Sequence, residues 1–211
     1  MIYQIDRIIK DVRVCLDQNE TNEALLTSGD IETLSLDDTI KSKIVEAVQR
    51  VHMTAPNYLL EGGHNFGDAV YWGELESGWV LLPTDFMRLV VFEMSDWEQA
   101  VYTAISTDDP DYEKQRSRFK GIRGTAQRPV CVIAIRPEGR VLEFYSCKST
   151  DATVSRAMYI PYPEIDDDGG VDISERCYKA VVYTVASLTL ITLGEAERGN
   201  MLSEVAKTFL Q

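Results

Sequence analysis

Histidine is scarce in this chain: His52 and His64 are the only two among 211 residues. A hydrolytic triad needs a histidine placed by an acid beside a nucleophile. Neither histidine lies near a Gly-x-Ser-x-Gly elbow or an activating cysteine context. Cysteine is also sparse. Cys15, Cys131, Cys147 and Cys177 are scattered through periodic apolar segments with no CxxC pair, so the ligand spacing of a zinc site is missing. Buried thiols in a reducing compartment are the simpler account. Long apolar runs are lacking too. Residues 180–194 form the longest nearly uncharged stretch, too short for a bilayer and interrupted by Tyr183, Thr184, Ser187, Thr189 and Thr192. Residues 1–16 carry Asp6, Arg7, Lys10, Asp11 and Arg13, so no secretory peptide is read there. Positive charge is in deficit: 21 Lys and Arg against 34 Asp and Glu give −13 and a pI near 4.6. A surface of that sign repels phosphates, which argues against general nucleic-acid or anionic-membrane binding. It leaves room for a wall that DNA passes without adhering. The expectation is a soluble protein made in a cytoplasm.

What is present is globular. Apolar residues make up 45% and charged residues 26%, too balanced for wholesale disorder. Ile2, Ile5, Ile8, Ile9, Val12, Cys15 and Leu16 recur at helical spacing, predicting an amphipathic helix over 2–17. Residues 18–34 are polar and turn-rich. Ser35-Leu36-Asp37-Asp38 supplies a cap-like start for a second helix, lined by Ile40, Ile44, Ala47, Val48 and Val51 and ended by Pro56. After the connection 61–68 the period falls to near 2. Segments 69–74 and 79–82 flank a turn at Glu76-Ser77-Gly78, residues 86–94 form another strand, and 130–136 and 140–147 flank Pro137-Glu138-Gly139. Residues 153–160 are a partner strand. Helices return over 173–193, apolar around much of the circumference with Leu188 in the core, and over 195–210 beyond Gly194. The expected fold is α+β: a helical bundle of two N-terminal and two C-terminal helices (1–60 and 170–211) with an inserted antiparallel β module (61–169).

Three segments invite a functional reading. Glu61-Gly62-Gly63-His64-Asn65-Phe66-Gly67 lacks the Gly-Lys-Ser/Thr ending of a phosphate loop and leads into a β pattern, so a hinge or subunit-contacting loop is expected. Glu164, Asp166, Asp167, Asp168, Asp172 and Glu175 could hold Ca²⁺ or Mg²⁺, but their spacing does not match an EF-hand loop. A solvated acidic turn before a helix is the simpler account. No cofactor, metal or catalytic residue is assigned.

Residues 112–128 stand apart. Lys114, Arg116, Arg118, Lys120, Arg123 and Arg128 face Glu113 alone, a local +5 that leaves −18 for the remainder. A solvated loop, DNA contact and contact with an acidic protein surface are the three readings. Only Tyr112 and Phe119 are on hand to stack on bases. These six cations are the candidate partner interface, on a long connection between β elements that orders against a neighbour.

The order of signals resembles a known family. Leu82-Pro83-Thr84-Asp85-Phe86-Met87-Arg88-Leu89 is similar to the LP-x-DF-x-RL phrase of head–tail connector and tail-tube-adaptor proteins of tailed bacteriophages. Met94-Ser95-Asp96-Trp97, the polar Asp109-Pro110-Asp111-Tyr112 and the Pro129-led strand follow in that family's order. So do Tyr159-Ile160-Pro161-Tyr162-Pro163, an acidic linker, an Ala-rich helix, Gly194-Glu195 and a final helix. Residues 36–211 are covered, and the pattern resembles ring proteins of phages of Bacteroides-type hosts. The resemblance implies a structural, non-enzymatic virion protein, self-assembled into a ring, commonly of twelve subunits, between portal and tail. Its implied partners are the portal, adjacent neck or tail proteins, and DNA passing through without sequence-specific binding; no membrane is involved. Heterologous ring contacts need two complementary patches per subunit, which the +5 segment on a −18 background supplies. Another phage structural role (tail completion, stopper or terminator), an accessory or regulatory binding module, and an enzyme working through Asp85, Asp166 or Asp168 are the competing readings.

Overall fold

Ser35 opens the second helix as its sequence demands. Its Oγ accepts from the Asp38 backbone N–H at 3.2 Å, and the Asp38 carboxylate accepts from the Ser35 N–H at 3.3 Å. Such a reciprocal cap contributes about 1 kcal/mol. The computed structural model describes residues 1–16, 35–60, 63–119, 121–145 and 147–211. Among them, in chain order, are β1 (Ile2–Gln4), α1 (Ile5–Cys15), α2 (Leu36–Thr54), β2 (His64–Asn65), β3 (Val70–Trp72), β4 (Gly78–Leu81), β5 (Phe86–Met94), β6 (Ile105–Ser106), α3 (Pro110–Gln115), β7 (Val130–Arg136), β8 (Gly139–Tyr145), β9 (Val154–Pro161), β10 (Gly170–Asp172), α4 (Tyr178–Thr192) and α5 (Ala196–Thr208). The fold is α+β. No helix among the described residues is long and apolar enough to cross a membrane.

The chain divides into two units, Met1–Gly62 with Pro163–Gln211, and Gly63–Tyr162. The acidic turn 163–169, expected in the inserted module, therefore belongs to the first unit. The reason is local pairing: Ile165 bridges Val171, Asp166 N–H donates to Gly170 O at 2.9 Å, and Ile5 N–H donates to Gly169 O at 3.0 Å.

In the first unit, α4 packs against α1, α2 and α5. Ile8 and Val12 of α1, Ile40, Ile44, Ala47 and Val48 of α2, and Val181, Val185 and Ala186 of α4 are all fully buried in one cluster. Tyr178 stacks on Tyr3 at 4.2 Å and donates its hydroxyl to Asp11 at 2.6 Å. Two expectations are corrected here. The first helix begins at Ile5, because Ile2–Gln4 pairs antiparallel with β10 (Tyr3↔Val171). The long helix begins at Tyr178 after a 3-10 turn over Glu175–Cys177, and Leu188 is only half-buried. The turn-rich stretch expected over 18–34 lies outside the described residues.

Among the described residues, the second unit contains two sheets, β2-β9-β5 and β3-β4-β8-β7-β6, where about five strands were expected in all. Both β hairpins read from the sequence form, β3–β4 and β7–β8, each antiparallel. Gly78 is required in the first: a Cβ there would meet Phe144 Cζ at 2.7 Å and Tyr71 O at 2.8 Å. One apolar cluster draws on both sheets, with Phe66, Phe86, Phe92, Leu142, Phe144 and Tyr159 at its centre. The two phrases that carry the family resemblance are hydrogen-bonded neighbours: Phe86 pairs with Pro161, Arg88 with Ile160 and Leu89 with Tyr159. Asp85 accepts from the Tyr159 hydroxyl at 2.9 Å, and its carbonyl accepts from Tyr162 N–H at 2.8 Å.

Candidate interface site

The basic segment is built on α3. Asp109 caps it by accepting from the Asp111 N–H at 2.8 Å, with Pro110 in the first turn, where its missing N–H costs nothing. Gln115 is buried and accepts from Gly124 N–H at 2.7 Å. Between these anchors the chain turns, with Ile122 N–H donating to Phe119 O at 3.0 Å. Thr125 and Arg128 then exchange backbone hydrogen bonds at 3.1 and 2.9 Å ahead of β7. The expected loose connection is thus a short helix and two tight turns.

The six cations do not form one surface. Lys114 is exposed and held by Asp111 at 2.5 Å, an ion pair that raises its pKa. Arg116 is exposed and reaches Glu113 at 3.8 Å. Arg118 and Arg128 are exposed and make no ion pair among the described residues. Lys120 lies outside the described residues. Arg123 is the correction. Its residue is 5% exposed, its Nη2 meets Glu76 at 3.4 Å, and its Nε has no hydrogen-bond partner among the described residues. The segment folds back between Gln115 and Thr125, which takes Arg123 inside.

Two apolar side chains occupy the surface instead. Phe119 is 73% exposed and Ile122 53% exposed. Composition masks this inversion, in which a cation is buried and two large apolar groups are left outside; spacing within the segment gives no period that would reveal it.

The acidic turn is ordered by its own groups. Asp166 accepts from the backbone N–H of Gly170 at 2.5 Å and of Asp168 at 3.1 Å. Asp167 and Asp168 are exposed beside it. Among the described residues, no group of three or more His, Cys, Asp or Glu side chains is placed to hold a metal ion.

Burial suppresses the other candidate reactive groups. His52 is 6% exposed, and burial pushes its pKa down to about 4. His64 lies exposed on β2, edge-on to Tyr159. Burial raises the Cys147 thiol to about 12 and the Cys131 thiol well above its ordinary value. A nucleophile requires the opposite shift. Glu61 and Gly62, at the head of the Gly-rich connection, lie outside the described residues. No protein-family model and no curated protein matches the chain.

Proposed function

We propose that this chain is a non-enzymatic structural subunit of a tailed-bacteriophage neck, assembled as a ring between portal and tail through which DNA passes. In this reading the α1, α2, α4 and α5 helices form the ring's helical bundle, and the β-rich unit is an insertion that meets neighbouring proteins. The ordered series of motifs from Leu82 to Glu195 supports the family. The observation that carries the ring is charge asymmetry on one subunit: exposed Arg116, Arg118 and Arg128 on one segment of a chain whose net charge is −13. Two patches of opposite sign on one chain favour heterologous contacts, which close into rings when the rotation per subunit permits. The same net charge favours passage of DNA, since a net-acidic protein repels phosphates and gains little from counterion release.

Negative-stain electron microscopy of the purified protein tests the proposal. Closed rings with an open centre are expected, and a uniformly monomeric preparation at all concentrations overturns it.

A further inference from the structure

We propose that Phe119 and Ile122, with Arg116 and Arg118 beside them, form a docking face whose occupant is the acidic turn 164–168 of a second copy of this chain. The proposal rests on the ring reading and deepens it by naming both sides of the contact.

Scattered exposed apolar residues are ordinary. Here two large ones, 73% and 53% exposed, lie within four residues of each other and directly follow two exposed arginines. Apolar and aromatic anchors with arginine nearby are the composition of interface centres. The acidic turn supplies the complement. Ile165 is 41% exposed, and Glu164, Asp166, Asp167 and Asp168 surround it on the chain. No Lys or Arg occurs from Tyr162 to Glu175. Apolar meets apolar, and four acids face the arginines.

Rigidity favours the same pairing. The turn is set by the Ile165–Val171 bridge and by the Asp166 contacts to Gly170 and Asp168. The basic face is set by Gln115 and by the Phe119–Ile122 turn. Two preformed faces lose little conformational freedom on docking. Because the faces are different surfaces of one chain, each copy offers one and receives the other, as a head-to-tail ring requires.

A charge-swap experiment decides it. One variant carries Arg116→Glu and Arg118→Glu; the other carries Asp167→Lys and Asp168→Lys, leaving Asp166 to hold the turn. By analytical ultracentrifugation the wild type is expected to assemble, each variant to remain monomeric at the same concentration, and an equimolar mixture to reassemble, since the introduced glutamates then meet the introduced lysines and the unchanged arginines meet the unchanged acids. Assembly of either variant alone, or failure of the mixture, overturns the contact while leaving the ring reading intact. A wild type that is monomeric throughout overturns both. Normal assembly of the arginine variant together with lost retention on immobilised DNA assigns the face to DNA and also overturns it. Carbodiimide coupling of assembled wild type gives a check free of variants. Links between copies from Lys114 to acids of 164–168 are expected, and links from Lys114 only to other acids overturn the proposal.

Discussion

Gln115 accepts from the backbone N–H of Gly124 at 2.7 Å and donates its Nε2 to the Asp111 carbonyl at 3.0 Å, bridging the end of α3 to the returning chain from inside the fold. This one buried amide converts a charged stretch into a shaped surface. Gln115→Leu keeps the volume and removes both hydrogen bonds, which is expected to lower stability by about 1–3 kcal/mol. Thermal melting measures that loss. Faster hydrogen exchange at the Gly124 amide localises it, and unchanged exchange there would assign the anchoring elsewhere.

Arg123 is expected to respond unlike its five basic neighbours. A buried guanidinium with one contact at 3.4 Å recovers little of its desolvation cost. Arg123→Met should therefore leave the melting temperature unchanged or raise it, and should leave self-association untouched. A drop of several degrees would show that the Glu76 contact stabilises the unit, and a change in assembly would return Arg123 to the interface.

At Gly199, α5 packs tightly against α4. A Cβ there would meet Ile191 Cγ1 at 2.7 Å and Ser187 O at 2.9 Å, and the Gly199 carbonyl accepts from Ser187 Oγ at 2.7 Å. Gly199→Val should force the helices apart and lose that hydrogen bond, costing about 1–3 kcal/mol as overpacking does. Gly199→Ala should cost less, since the smaller group needs less displacement. Equal stability of the three proteins in urea would contradict this packing.

Much of the architecture could be read from local pattern. Period-2 segments around Gly78 and around Pro137-Glu138-Gly139 announce hairpins because turn chemistry and strand alternation act over a few residues. The Ser35 cap marks α2 for the same reason. The β1–β10 pair was hidden: strands of three residues each cannot show a period, and the two lie about 170 residues apart in sequence, in the antiparallel register Ile2↔Asp172. The two-residue β6, which pairs parallel to β7, is too short to be distinguished from a loop. The candidate site was legible in its charge but not in its geometry. Arg123 carries one of the residue types least expected inside a protein and Phe119 one of the most expected, and only the turn set by Gln115 exchanges them.

The buried histidine makes a pH-dependent prediction. His52 lies in α2, 6% exposed, with Nε2 accepting from the Ser174 backbone N–H at 3.5 Å. Burial lowers its pKa from 6.5 to about 4, the nearby Asp172 carboxylate opposing that shift. The unfolded chain therefore binds a proton at His52 between pH 6.5 and 4 that the folded chain refuses. Stability from this group is complete above pH 6.5 and falls as the pH drops towards 4, by about 3 kcal/mol in all. Carboxylates also titrate in acid, so the measurement is a difference. His52→Gln keeps a hydrogen-bond acceptor without a titrating ring, and its urea stability should fall less than that of the wild type between pH 7 and pH 4. An NMR titration should place the His52 ring near 4. Parallel stability curves for the two proteins, or a His52 that protonates above pH 6, would mean that the ring is solvated and that α2 does not bury it.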